Sequence, residues 1–142
     1  MKIYKLDTVT DHVVHAFKVL IPQLSSHCTL PTKTDLENMV QSNTTELFIA
    51  EEHNQILGTF TLVFNTIPTG HKVWIEDVVV DSAARGKGLG KDLMLFAIDY
   101  VSKKHINTIN LTSSPERIAA NKLYQKLGFV KRETNVYRLT IK

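Results

Sequence analysis

Apolar residues along this chain recur at helical spacing in some stretches and in short β-rich runs in others, and the two patterns outline its elements. Residues 2–6 read as a short strand. From Asp7 to about Leu24, Val13, Val14, Phe17, Leu20 and Ile21 fall at helical spacing, with Pro22 near the end of the stretch. A second helix is predicted from Thr34, because Thr34 and Glu37 have capping-box spacing and Leu36, Met39 and Val40 supply its apolar positions. Two β-rich runs follow, Leu47–Ala50 and Ile56–Phe64, and the turn-like His53-Asn54-Gln55 between them predicts a hairpin. Val73 to Val80 is the next strand. Its closing run Val78-Val79-Val80 predicts burial on both faces and a central place in the sheet.

The turn Asp81–Gly90 feeds a long helix to about Lys104, with Leu89, Leu93, Phe96, Ala97, Tyr100 and Val101 as its buried stripe. Asn107–Thr112 reads as another strand. Ser114 as N-cap, Pro115 at the first helical position and Gly128 just past the end bound a further helix, and the tail, Phe129–Arg132 and Val136–Ile141, reads as two strands. Strand, helix and strand from Val73 to Thr112 form a βαβ unit, which is expected to be parallel and right-handed. The fold class is therefore α/β, an α+β arrangement around a mixed sheet. With no linker, repeat or low-complexity segment, residues 1–142 are expected to form a single domain.

Composition narrows the function. A chain of 142 residues, 43% hydrophobic and 22% charged, suits one ordinary globular domain. No run approaches the roughly 18 apolar residues of a membrane span, and the N-terminal residues lack the apolar core of a signal peptide, so a cytoplasmic location and no membrane partner are expected. The lone Cys28 has neither a disulfide partner nor a CxxC mate, and it lies in a polar link with no activating base nearby. His12 and His15 share a helix face without a third ligand at suggestive spacing, so no metal site is expected. Of the charge behind the net +3, Arg85, Lys87 and Lys91 crowd into one glycine-rich turn while the remaining Lys and Arg are scattered among Asp and Glu. That placement favours a local anion site over a nucleic-acid face.

The turn Arg85-Gly86-Lys87-Gly88-Leu89-Gly90-Lys91 joins a buried strand to a helix, a position where backbone N–H groups bind anions. A Walker A loop is disfavoured, because Arg85 stands where the first Gly is needed and Asp92 where Ser or Thr would follow Lys91. The dinucleotide fingerprint GxGxxG fails as well, since Lys91 occupies the third Gly position. What fits is R-x-x-G-x-G, from Arg85 to Gly90, with Val78-Val79-Val80 upstream. Further on, Ala120, Tyr124, Lys126, Gly128 and Phe129 match A-x-x-x-Y-x-K-x-G-F. On these two segments, Trp74–Gly90 and Ser114–Phe129, the chain resembles the GNAT N-acetyltransferase superfamily, and the order of elements agrees over nearly the whole chain.

The resemblance implies a GNAT-like acyl-CoA N-acyltransferase fold, a central mixed sheet flanked by about four helices. It implies acetyl-CoA as cosubstrate, with the pyrophosphate on Arg85, Gly86, Lys87, Gly88, Leu89, Gly90 and Lys91 and the arm beside Val78, Val79 and Val80. Direct transfer needs a neutral amine, and an alkylamine with a pKa near that of Lys, about 10.4, is protonated at neutral pH. Glu76, Asp77 or ordered water could take that proton; Glu76 and Asp77 point to opposite faces of an ideal strand, and Glu76 is favoured. The resemblance implies Tyr124 as the acid that protonates the departing thiolate and a backbone N–H near Val79 as the oxyanion donor. Family members often carry Asn seven residues before this tyrosine; Arg117 stands there in this chain, and Asn121 lies three before it, so both are candidate contacts to the cosubstrate.

The expected reaction is acetyl transfer to a primary amine of a small molecule, a peptide or a protein in a ternary complex, and the short chain tilts this toward small molecules. Family habit adds a homodimer. The competing classes are a catalytically silent acyl-CoA-binding module on the same fold and, with no recognition motif behind it, a nucleic-acid binder. Substrate-binding loops are implied at about Gln23–Lys33 and Asn65–Lys72.

Overall fold

A computed structural model describes residues 1–142 and divides them into two compact units, Met1–Leu111 and Thr112–Lys142. The first unit runs β1 (Lys2–Lys5), α1 (Asp11–Leu24), α2 (Lys33–Gln41), β2 (Thr45–Glu52), β3 (Gln55–Ile67), β4 (Gly70–Val80), a 3₁₀ turn (Ser82–Ala84) and α3 (Leu89–Ser102). The second contains α4 (Ile118–Lys126). The chain thus joins a sheet with four α-helices in an α/β fold.

The four strands lie in the order β1-β2-β3-β4, every pair antiparallel. Between β2 and β3 the hairpin turns on two residues, His53 and Asn54, both with positive φ of 51° and 62°. This is the turn whose twist matches paired strands, and Asn tolerates it. Side chains alternate across β2. Leu47 and Ile49 join Val13, Phe17, Leu20 and Leu36 in the core under α1 and α2. Phe48 faces the other way, stacked on Phe60 at 4.7 Å and edge-on to Phe96 and Tyr100 of α3. So α1 and α2 cover one face and α3 the other. At the end of α3 the Tyr100 hydroxyl donates to Glu46 at 2.7 Å, satisfying a carboxylate that is 12% exposed.

Several boundaries differ from expectation, and each difference has a local cause. α1 begins at Asp11, not Asp7, because Thr10 is the N-cap and its hydroxyl accepts the Val13 N–H. α2 is capped by Thr32, whose hydroxyl accepts the Asp35 N–H while the Asp35 carboxylate accepts the Thr32 N–H. Thr34 and Glu37 match the same pattern two residues too late. α4 begins at Ile118; Ser114, expected as its cap, instead offers its carbonyl to the N–H of Arg117 and the side-chain amide of Asn121.

β4 was expected centrally and instead ends the sheet. The strand expected at Asn107–Thr112 is reduced to one parallel bridge between Trp74 and Asn110, closed by Ile75 N–H to Asn110 C=O and Asn110 N–H to Val73 C=O, both 2.9 Å. Beyond Ile75 that edge of β4 is unpaired, and of the three valines Val79 is buried while Val78 and Val80 are half-buried. The two strands expected in the tail are absent as well. Val130, Val136, Tyr137, Leu139 and Ile141 are 81 to 87% exposed, since alternation supplies strand propensity but not a neighbouring edge to pair with.

Gly58 fixes how closely α3 approaches the sheet. A Cβ there would lie 3.1 Å from the Val79 carbonyl oxygen, 3.2 Å from a Leu93 methyl and 3.4 Å from one of Leu89. Contact with backbone on one side and a buried helix on the other leaves no flexible group to yield. Gly58→Ala is therefore expected to destabilise the fold by about 1–3 kcal/mol, read as a lower midpoint in urea unfolding with an unchanged slope.

Candidate active site

Pairing of β4 with β3 slips by one residue. Thr61 faces Glu76 and Thr59 faces Val79, so Phe60 alone spans Asp77 and Val78. This is a β-bulge, and Asp77 takes up the extra length with φ +50°, a conformation short polar side chains tolerate better than others. In an ideal strand Glu76 and Asp77 would point to opposite faces; here both are exposed, one after the other. Glu76 stands opposite Thr61, which stands opposite Leu47, so it belongs to the sheet face that α1 and α2 cover. Partial burial raises the Glu76 carboxyl above its ordinary value of 4.5, and the charge of Asp77 adds to the effect.

β4 then leads through Ser82–Ala84 into the glycine turn. Gly86 and Gly88 hold φ of 81° and 80°, and a Cβ at either would meet nothing within 4 Å. Glycine is required there for conformation, and the space before the turn is open. The start of α3 is also unlike the other helix starts of this unit. Thr10 and Thr32 cap α1 and α2 with their side chains, but Gly88 has none to offer α3. The first intrahelical bond of α3 is Asp92 N–H to Gly88 C=O at 3.0 Å. The N–H groups of Leu89, Gly90 and Lys91 are therefore left to an external acceptor. Arg85, Lys87 and Lys91 are exposed around them, while Leu89 is buried and Gly90 half-buried. Free backbone donors and the helix dipole meet at an open place beside three exposed cations, an arrangement that suits a phosphate or pyrophosphate.

In the second unit, the spacing Tyr124, Gly128, Phe129 is the end of a helix. Gly128, φ +102°, donates to Gln125 C=O at 3.1 Å, and Phe129 N–H donates to Tyr124 C=O at 3.0 Å. These are the two bonds of a Schellman motif, and its usual apolar contact is the Tyr124–Phe129 ring pair at 6.0 Å. The motif fixes the Tyr124 ring, which is 7% exposed. Burial raises its phenol pKa, against a smaller lowering by the charge of Arg117. Arg117 is exposed at the helix N-cap without a capping bond. Asn121 spends both amide hydrogens on Ser114 C=O and Arg117 C=O, at 2.9 Å each.

On the α1/α2 side of the first unit lies an open recess of about 510 Å³, lined by Thr29, Leu30, Pro31, Asp35, Asn38, Met39, Ser42 and Thr45. Thr45 is two residues from Leu47 on β2, so the recess opens on the same sheet face as Glu76. His12, His15 and Cys28 belong to no group of three or more His, Cys, Asp or Glu side chains placed to hold a metal. No helix is long and apolar enough to cross a membrane.

A model of the acetyltransferase (GNAT) family matches residues 12–129. The chain belongs to this family. As a GNAT protein it is 41% identical over 87 residues to a mycothiol acetyltransferase of Renibacterium salmoninarum, an overlap of 60% of this chain and 26% of that relative's length. The chain thus spans about a quarter of that relative. An aminoglycoside acetyltransferase from an uncultured soil metagenomic sample superposes with a TM-score of 0.86 at 18% identity, covering 99% of this chain and 96% of the other. A predicted acetyltransferase of Clostridium acetobutylicum, whose crystal structure is with acetyl-CoA, gives 0.74 at 20% identity over 97% and 96%. At these identities the two structures speak for the fold.

Two features of the site escaped sequence reasoning. The bulge is announced only by an Asp inside a β-rich run, and the free edge of β4 by nothing, because a Val run reads as buried. A raised carboxyl pKa also has a sign. Protonated Glu76 contributes stability that is fully present below its ordinary value of 4.5 and lost as the pH rises through the raised folded value. Glu76→Gln should accordingly raise the melting temperature relative to wild type at neutral pH and give no gain at about pH 4, measured by thermal unfolding across that range.

Proposed function

We propose that this GNAT chain is an acetyl-CoA-dependent N-acetyltransferase that moves the acetyl group directly to a primary amine of a small molecule, both units serving the one activity. The observation that carries this reading is the run from an unpaired strand edge at Val78–Val80 into an uncapped, glycine-built helix start flanked by Arg85, Lys87 and Lys91. An arm bearing amides can add to an open strand edge as another strand would, and a pyrophosphate suits the N–H groups beyond it. Acetyl-CoA carries both, the pyrophosphate at one end of the arm and the thioester at the other.

Glu76 takes the proton from the amine, whose nitrogen forms a bond to the acetyl carbon as the carbon–sulfur bond breaks. Its raised pKa makes it a better base near neutral pH than an ordinary carboxylate. A backbone N–H near Val79 steadies the carbonyl oxygen. Tyr124, kept protonated by burial, gives its proton to the departing thiolate. Arg117 and Asn121 are assigned to the cosubstrate side, where Asn121 offers only its oxygen, both amide hydrogens being taken.

The small-molecule acceptor is supported by the recess on the Glu76 face, whose hydroxyls, amide and one carboxylate suit a polar, cationic amine. The aminoglycoside acetyltransferase among the fold neighbours acts, by its name, on ligands of that kind. A free, exposed Cys28 fits the reducing cytoplasm.

Calorimetric titration of the purified protein with acetyl-CoA, with ATP as control, should give micromolar-range binding that ATP does not match. With an amine that turns over, Glu76→Gln should lower kcat by roughly 10²–10⁴-fold. Tyr124→Phe should lower kcat and leave acetyl-CoA affinity unchanged. A folded protein that fails to bind acetyl-CoA contradicts the reading, and binding with full turnover by both variants removes the assigned roles.

A further inference from the structure

The 3₁₀ turn Ser82–Ala84 is the hinge between β4 and the glycine turn, and its backbone donors are individually accounted for. The Asp81 N–H reaches back to Leu57 C=O on β3 at 2.8 Å. The Asp81 carboxylate accepts the Ala83 N–H at 3.1 Å, and Ala84 N–H closes the turn on Asp81 C=O at 2.8 Å. Ser82 N–H, the remaining donor at the start of the turn, has no partner within the segment. It is taken by a side chain 59 positions away in sequence, the Oε1 of Gln23, at 2.8 Å.

Gln23, where a substrate-binding loop was expected to begin, instead lies in the last turn of α1, next to Pro22. Its other amide atom, Nε2, donates to Val19 C=O one helical turn back at 3.1 Å. Both ends of the side-chain amide are therefore committed, which fixes its orientation: an exposed glutamine with one bond would be free to rotate. No other side chain from outside the β4–α3 segment hydrogen-bonds to this turn or to the glycines that follow it. Arg85 N–H then bonds Ser82 C=O at 3.4 Å, so the peptide that Gln23 holds precedes the one from which Arg85 is hung.

We infer that Gln23 is a positioning residue for the anion-binding turn: by holding the Ser82 N–H it sets the angle at which the chain leaves β4, and through it where Arg85, Gly86 and the free N–H groups of α3 present themselves. The inference rests on the reading of that turn as the seat of the cosubstrate's pyrophosphate. Gln23 bonds to Ser82 and Val19 and to neither Glu76 nor Tyr124, so its loss is expected to affect cosubstrate binding and not the chemical step.

The test combines acetyl-CoA calorimetry and steady-state kinetics on wild type, Gln23→Met, Ser82→Pro and the double variant with amide exchange over Ser82–Gly90 in the unliganded proteins. Gln23→Met keeps the side chain's length and removes both polar atoms, and Pro is tolerated at the first position of a helical turn. Losing one hydrogen bond should weaken acetyl-CoA binding and raise its KM roughly three- to tenfold, with kcat at saturating acetyl-CoA unchanged and faster exchange at the hydrogen-bonded amides Ala83, Ala84 and Arg85. In the Ser82→Pro background, where the donor is gone, Gln23→Met should have no further effect. Unchanged affinity in Gln23→Met, or an equal further loss in the Ser82→Pro background, overturns the proposal. If wild type itself fails to bind acetyl-CoA, the cosubstrate reading has failed, and exchange alone judges the clamp: acceleration at Ala83–Arg85 sustains it and unaltered exchange there overturns it.

Discussion

Two residues of β4, Asp77 and Val78, face one residue of β3, Phe60, and the positive φ of Asp77 absorbs the difference. A non-glycine residue in that region costs roughly 1–2 kcal/mol, so the surrounding pairs must hold it there. They do so from both sides: Thr61–Glu76 before the slip, Thr59–Val79 and Gly58–Val80 after it. The slip brings two carboxylates to the surface in succession, and on the strand's other edge the last three valines have no pairing partner.

What lies on either side of that strand end follows from sheet alternation. Val79 turns into the core shared with α1 and α2, while Val80 sits opposite Gly58, whose missing side chain lets Leu89 and Leu93 of α3 come down onto the sheet. The start of α3 is thereby fixed by apolar packing at Leu89, not by a cap. Its N–H groups stay free because the residue that would cap them is a glycine. In α1 and α2 a threonine hydroxyl takes up one of those donors; in α3 no side chain does. The α1 face, in turn, reaches the same region through Gln23, so both layers of the first unit bear on the turn.

Much of this was legible in advance where the signal is local. The hairpin at His53-Asn54, the amphipathic stripe of α3 and the Gly128 stop of α4 each depend on residues a few positions apart, and each is present. Arg85–Gly90 and Tyr124 through Phe129 were legible as motifs, and the structure supplies their local physics: a positive-φ turn before an uncapped helix, and a Schellman motif that seats a tyrosine. Features that depend on partners were not legible. Thr32 and Thr34 both have capping-box spacing, and it is Thr32 that makes the bonds, leaving Thr34 inside the helix. Val136, Leu139 and Ile141 alternate as a strand does but have no edge to join. The Val78–Val80 run reads as central because hydrophobicity records only that side chains avoid water, not whether the backbone edge beside them is filled.

In the function proposed above, the free edge of β4 and the uncapped start of α3 form one continuous seat for acetyl-CoA. Amide hydrogen exchange measured with and without acetyl-CoA tests it residue by residue. Exchange is expected to slow at Gly86–Lys91 together with Val78–Val80 when acetyl-CoA is present. Binding that leaves both stretches unchanged, or protects only some other part of the chain, would contradict it.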